Sequence, residues 1–194
     1  MKKIFTTRRI TKDALLLAVM CILGMIALPL GANIKVSMQL LVVFIICLIS
    51  DSVFDGLIIT SLYLVLGLFV PVYAGFSMGI TPTFGFVISF VFVSPVIYFI
   101  NKLPIKNNSL RMSLACLGGL VICYLIGSIY MMFYLHLSFV NTLLISVVPY
   151  LAFDFAKIIC AVLIILLLPK SITHIKDNNF TNNINHNNDI ISKI

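Results

Sequence analysis

The sequence predicts an all-α integral membrane protein, and three observations carry that prediction. The 194 residues are 61% hydrophobic and only 10% charged, with a mean hydropathy of +1.17, a balance that leaves too little polar surface to cover a soluble core. The apolar residues lie in long runs, and one spanning helix needs roughly 20 such residues. The Lys and Arg excess behind the formal net charge of +7 sits in the N-terminal residues, one internal loop and the tail. That distribution belongs to the cytoplasmic segments of a membrane protein and not to a nucleic-acid-binding face.

Taken in order, the chain divides into a basic N-terminal arm (1–13), a membrane domain (14–169) and an Asn-rich tail (170–194). Lys2, Lys3, Arg8, Arg9 and Lys12 hold the arm in the cytoplasm. A first helix is expected from about Asp13, capped by Thr11 or Asp13, to Leu30, where Pro29-Leu30-Gly31 ends it. It is longer than a signal-peptide core and lacks a small-x-small cleavage site, so it reads as a span. Ala14 and Ala18, extended by Cys21, make a small-x-x-x-small face that lets another helix approach closely.

Asn33 to Met38 is a short polar turn containing Lys35. The apolar stretch from Val36 to Tyr73 has room for two helices reversing at Asp51–Gly56. Asp51 and Asp55, one helical turn apart, could make a metal or proton pair, but read as turn and capping residues at the membrane surface. The Gly- and Pro-rich stretch from Pro71 to Gly85 is a turn-rich loop. A helix follows from about Thr83 to Ile100, then a basic loop from Asn101 to Arg111, then a helix from Met112 to Leu135. His136 to Ser146 reads as a neutral loop and Val147 to Leu168 as the last helix. The result is six transmembrane helices with both termini cytoplasmic, in a multi-pass protein of the cell membrane. The tail, dominated by Asn, cannot build a core and is expected to be disordered. Cys21, Cys47, Cys116, Cys123 and Cys160 all lie in apolar runs and read as small buried hydrophobes.

Asp154 and Lys157 are the only charges between Arg111 and Lys170. Three residues apart on a helix, they share a face. A charge near the bilayer centre costs about 2.5–3.5 kcal/mol, so such groups pair, face the protein interior and mark a substrate or ion path. The other reading is an ion pair that clamps two helices. Pro149 suits the first turn of the last helix. Gln39, early in the second helix and near the outer face, needs a hydrogen-bond partner if buried, and Tyr124 is deep enough to need an internal one. There is no G-x-x-x-x-G-K-[ST] motif, no H-E-x-x-H, and no constellation around His136, His174 or His186 that would serve catalysis. Binding or transport is therefore expected, with no enzyme activity, cofactor or metal of its own.

Four motifs resemble the BioY family, the biotin-specific substrate-binding (S) components of energy-coupling factor (ECF) transporters. Pro71-Val72-Tyr73-Ala74-Gly75 is similar to the family's P-V-F-A-G. Thr81-Pro82-Thr83-Phe84-Gly85-Phe86 through Phe90 is similar to its G-P-T-x-G-Y-L-x-G-F. Tyr124 to Tyr130 is similar to its Y-x-x-G-x-x-W, and Pro149 to Lys157 to its P-F-x-P-x-D-x-x-K. The resemblance spans about Ala14 to Leu168.

It implies an S-component-like bundle of six helices that takes up biotin or a related small molecule. It implies partners as well: the lipid bilayer, a scaffold transmembrane subunit and two ATPase subunits, but no nucleic acid. Ala14 and Ala18 match the A-x-x-x-A face offered to the scaffold. The ligand contacts it implies are Asp154, Lys157, Gln39, Tyr150, Thr81 and Thr83, with Tyr73, Phe84, Tyr124 and Tyr130 walling the apolar body.

The chain departs from the family at Lys35–Leu40, where only Gln39 and a hydroxyl remain of P-I-T-x-Q-T. It departs again at Asp51–Gly56, which replaces a basic turn, and at Ala152 and Tyr130, which replace a Pro and a Trp. An S component for a different vitamin is one alternative. A secondary transporter for a small carboxylate, with Asp154 coupling to protons, is the other.

Overall fold

The computed structural model describes residues 7–29 and 35–168. In chain order it holds α1 (Thr7–Met25), β1 (Ala27–Pro29), β2 (Lys35–Ser37), α2 (Gln39–Ile49), α3 (Val53–Phe69), α4 (Phe84–Asn101), α5 (Asn108–Leu135), α6 (Phe139–Ser146) and α7 (Leu151–Leu167). The innermost element is α2. It is apolar on nearly all sides (QLLVVFIICLI), and eight of its eleven residues are buried, as expected of a helix without a polar face. It packs against α1, α4 and α7, while α4 and α5 form the most extensive helix pair. Phe44, Val43, Ile59, Tyr63, Val93 and Ile97 centre the core, each no more than 1% exposed.

The outside of the bundle is apolar too. Leu15, Ile22, Phe69, Phe133, Leu163 and Leu167 are among its exposed side chains. Apolar surface on this scale marks a surface that faces lipid. By length and composition, α4 and α5 can each cross a bilayer, and α6 with α7 can do so as one bent span. The other apolar helices, α2 and α3, are shorter.

The element boundaries differ from expectation in three places. The first helix starts at Thr7 and ends at Met25, so Arg9 and Lys12 belong to a helix. Pro29 falls in β1, whose antiparallel register with β2 is Ala27↔Ser37, Leu28↔Val36 and Pro29↔Lys35. A small hairpin therefore occupies what reads from sequence as helix end and polar turn. The last helix also starts at Leu151 and not at Val147. The segment read as a neutral loop contains α6, capped by Ser138, and the chain then bends by 53° into α7. Pro149 causes the break, because it lacks an N–H and disfavours helical geometry in the residue before it. It stands in the turn ahead of α7, whose N-cap is Tyr150. The arm before Thr7 and the Asn-rich tail lie outside the described residues.

Asp51 and Asp55 serve the α2–α3 reversal, and they also tie α1 down. Ser52 and Asp55 form a capping box on α3, with the Ser52 N–H donating to Asp55 Oδ2 at 3.2 Å. The Arg9 guanidinium donates to Asp55 Oδ1 from Nε at 2.6 Å, and its Nη2 forms an ion pair with the same oxygen. Lys12 Nζ donates to the Ile49 carbonyl at 3.0 Å and to Asp51 at 3.2 Å. Asp55 is 3% exposed, so its ion pair is shielded from water, whereas the Lys12–Asp51 side chains are 27% and 33% exposed.

Asp55→Ala removes a cap and a partly buried ion partner together. It should destabilise the bundle by about 2 kcal/mol or more. Asp51→Ala, at the exposed pair, should cost less than about 1 kcal/mol. Thermal unfolding in detergent followed by circular dichroism ranks the two, and a larger loss for Asp51→Ala would contradict this account.

Candidate functional site

The site begins with the break before α7. Because the helix restarts at Leu151, Asp154 lies in its first turn and Lys157 one turn further in, about 4.5 and 9 Å along the axis. Both are buried, Asp154 to 4% exposure and Lys157 to 8%. Lys157 Nζ donates to Asp154 Oδ1 at 2.6 Å, and from α5 the Tyr124 hydroxyl donates to Asp154 Oδ2 at 2.5 Å. Among the described residues, each carboxylate oxygen thus has one strong, charge-assisted partner and keeps one lone-pair direction free. The pair expected from the three-residue spacing is present, and the internal partner that Tyr124 requires is Asp154.

A cavity of about 200 Å³ lies over this triad, at the end of the bundle that carries the hairpin and the loop between α3 and α4. Six of the residues expected to contact ligand line it: Gln39, Thr83, Tyr124, Tyr150, Asp154 and Lys157. Most of its wall area is apolar, with polar side chains set into it, which is the chemistry of a small-molecule site.

The other four expected residues do not line the cavity. Tyr73 is 2% exposed, and its hydroxyl donates to the Leu64 carbonyl at 2.6 Å. That bond lays the ring against Gly67, where a Cβ would collide with it. Phe84 lies between Tyr73, tilted at a centroid separation of 6.2 Å, and Tyr130, edge-on at 6.0 Å. Tyr130 also stacks on Tyr134. These rings form a buttress beside the cavity. The Thr81 hydroxyl pairs with that of Thr83 at 3.2 Å.

Sequence reasoning missed several lining residues, among them Ser37, Phe86, Phe90, Cys123, Met131 and Ser146. Phe86 and Phe90, one turn apart, present one face of α4, and Phe86 lies against Gly127 of α5. Only that aromatic spacing opposite a glycine was available as a signal. Ser146 comes from α6, a helix too short to stand out, and meets Ser128 at 3.4 Å. Gln39 finds its partner in Tyr63, which no motif marks. Its Nε2 donates to the Tyr63 hydroxyl at 2.6 Å.

Ala14 and Ala18 are exposed on α1, as are Leu15, Val19 and Ile22, whereas Cys21 turns partly into the core. Ala14 also borders a second, mainly apolar groove between α1 and α3, with Phe54, Ile58 and Leu62.

A helical bundle with apolar surface outside, and a small cavity built over one buried ion pair, defines a membrane-embedded small-molecule-binding protein. The BioY family profile matches residues 1–174, and the chain belongs to that family. It is 27% identical over 168 residues to the biotin transporter BioY of Thermotoga maritima, covering 84% of this chain and 96% of that protein. The fold is similar to that in the 2.1 Å crystal structure of the S-component for biotin from an ECF-type ABC transporter. The TM-score is 0.71 at 24% identity, over 82% of this chain and 92% of that one.

Removing one member of a buried pair strands the other, at a cost of about 3–5 kcal/mol, whereas replacing both is far cheaper. Lys157→Met should therefore lose more thermal stability than the double variant Asp154→Asn/Lys157→Met, in which Asn still accepts from Tyr124. Circular dichroism melts at neutral pH provide the comparison. A double variant less stable than Lys157→Met would show that the pair is not coupled as described.

Proposed function

We propose that this chain is the biotin-binding S component of an ECF-type transporter. It spans the cell membrane with both termini in the cytoplasm, in six passes counting α6 and α7 as one. The observation that carries the reading is the cavity over Tyr124, Asp154 and Lys157, in a chain of the BioY family. The basic residues of the 102–111 segment and the Arg9/Lys12 cluster lie at the end of the bundle away from the cavity, which supports entry of ligand from outside.

Biotin has a ureido group with two N–H donors and a carbonyl, an apolar bicyclic body and a carboxylate on an apolar chain. Asp154 offers its free lone pairs to ureido N–H groups. Lys157 has two further N–H donors for a carbonyl or carboxylate. Tyr150, Gln39 and Thr83 add polar contacts, and Phe86 and Phe90 supply apolar wall. Tyr73, Phe84, Thr81 and Tyr130 act from behind, by holding the loop and the aromatic buttress in place. The exposed Ala14/Ala18 face of α1 is the docking surface for the scaffold subunit, which brings two ATPase subunits.

Calorimetric titration of the purified chain with biotin, without ATP or other subunits, tests the proposal. Tight binding to the isolated chain is expected, and its absence would remove biotin as the ligand. Asp154→Asn or Lys157→Ala should each weaken binding at least tenfold, about 1.4 kcal/mol. Wild-type affinity in a folded double variant would sink the site assignment. Ala14→Leu and Ala18→Leu should reduce ATP-dependent uptake by cells while leaving the titration unchanged; undiminished uptake in both would remove the docking face.

A further inference from the structure

A buried hydrogen-bond chain determines which end of the Gln39 amide is offered to the cavity. Three groups form it: Gln39 Nε2 lies 2.6 Å from the Tyr63 hydroxyl, and that hydroxyl lies 2.8 Å from the Val72 carbonyl. Gln39 is 6% exposed, Val72 7% and Tyr63 fully buried. The polarity of the chain follows from its last member. A carbonyl can only accept, so the single proton of the Tyr63 hydroxyl goes to Val72. The Tyr63 oxygen is then left with lone pairs, and the group facing it has to be a donor. Gln39 meets that demand only with its amino group. The reversed amide would place two acceptors against one proton and leave a buried group unsatisfied, at about 1–3 kcal/mol.

The Tyr63 hydroxyl has no freedom to move away. It abuts Gly24 of α1, where even a Cβ would strike it. Its ring is held edge-on by Tyr73 at 5.6 Å. Gln39 lines the cavity, and among the described residues its Oε1 has no protein partner and is not sealed from solvent.

We infer that Tyr63 is a positioning residue for ligand specificity: it locks Gln39 so that the side chain presents its carbonyl oxygen to the cavity, selecting a ligand that brings an N–H donor there. This rests on the small-molecule-binding reading given above and adds to it a chemical class. At Gln39 the ligand presents a urea, lactam or amide N–H, and its carboxylate is directed elsewhere, since two acceptors repel.

Gln39 is the only glutamine in the chain, so labelling with glutamine carrying 15N in its side chain gives one NH2 group to observe by NMR in the full-length protein. In the wild type, one Nε2 proton should exchange slowly with water because Tyr63 holds it. Two equally fast protons would overturn the inference before any variant is made. In Tyr63→Phe, which keeps the ring, the slow proton should become at least tenfold faster. No change would show that Tyr63 does not set the orientation.

The ligand class is read with two isosteric rings, 2-imidazolidinone, which has two N–H donors, and ethylene carbonate, which has none. Only the cyclic urea should shift the Gln39 resonances of the wild type, and it should lose most of that effect in Tyr63→Phe. Equal shifts from both rings, or shifts from neither, would overturn the selection for an N–H donor. Biotin is not a probe in these measurements, so failure of biotin to bind in the calorimeter would remove the ligand assignment without deciding the orientation of Gln39.

Discussion

The structure depends on satisfying one carboxylate where water is scarce. Asp154 and Lys157 are the only charged side chains between Arg111 and Lys170, and each would be costly there without a partner. Lys157 neutralises Asp154, and Tyr124 occupies the oxygen that Lys157 does not. Because Tyr124 reaches across from α5, the arrangement fixes α5 against α7. Because each oxygen keeps a spare lone pair, the triad does not close on itself. A buried group that is satisfied and still able to accept is what allows one cluster to serve both the stability of the bundle and the chemistry of its cavity.

Around the triad, packing is organised by glycines that let aromatic rings into helix surfaces. Tyr73 lies against Gly67, Tyr130 against Gly85 and Phe86 against Gly127. In each case the absent side chain on one helix makes room for a ring from another segment. The loop between α3 and α4 is held to the bundle by the same means, together with backbone bonds from Gly75 N–H to the Met25 carbonyl and from Gly79 N–H to the Gly67 carbonyl. At the opposite end the connection is electrostatic, through Arg9–Asp55 and Lys12–Asp51. One end is thus fastened by shape and the other by charge.

Much of this was legible in the residues. Long apolar runs separated by Asp51–Gly56, Pro71–Gly85 and Asn101–Arg111 locate the main helices, because hydrophobic length is a strong local signal. The spacing of Asp154 and Lys157 announces their pairing, and Asp55 reads as a cap. What escaped was either short or distant in sequence. The β1–β2 hairpin and α6 are too brief for periodicity to reveal. The partners Arg9–Asp55, Tyr124–Asp154 and Gln39–Tyr63 are separated by 46, 30 and 24 residues, and no local pattern encodes such contacts. Tyr73, Phe84 and Tyr130 share an aromatic character with cavity-lining groups, and only the packing around Gly67 and Gly85 shows that they face one another instead.

The break at Pro149 has an electrostatic consequence. Aligned peptide dipoles leave a partial positive charge at the start of a helix, and the effect fades beyond the first turn. Because α7 begins at Leu151, Asp154 stands within that field and Lys157 largely beyond it. An anion there gains about 0.3–1 kcal/mol, and up to about 2 kcal/mol when partly buried. Had α6 and α7 been continuous, Asp154 would lie deep in the middle of a long helix, where no such field acts. The bend therefore places an acidic side chain where a helix start favours negative charge, with its ion-pair partner Lys157 one turn further along.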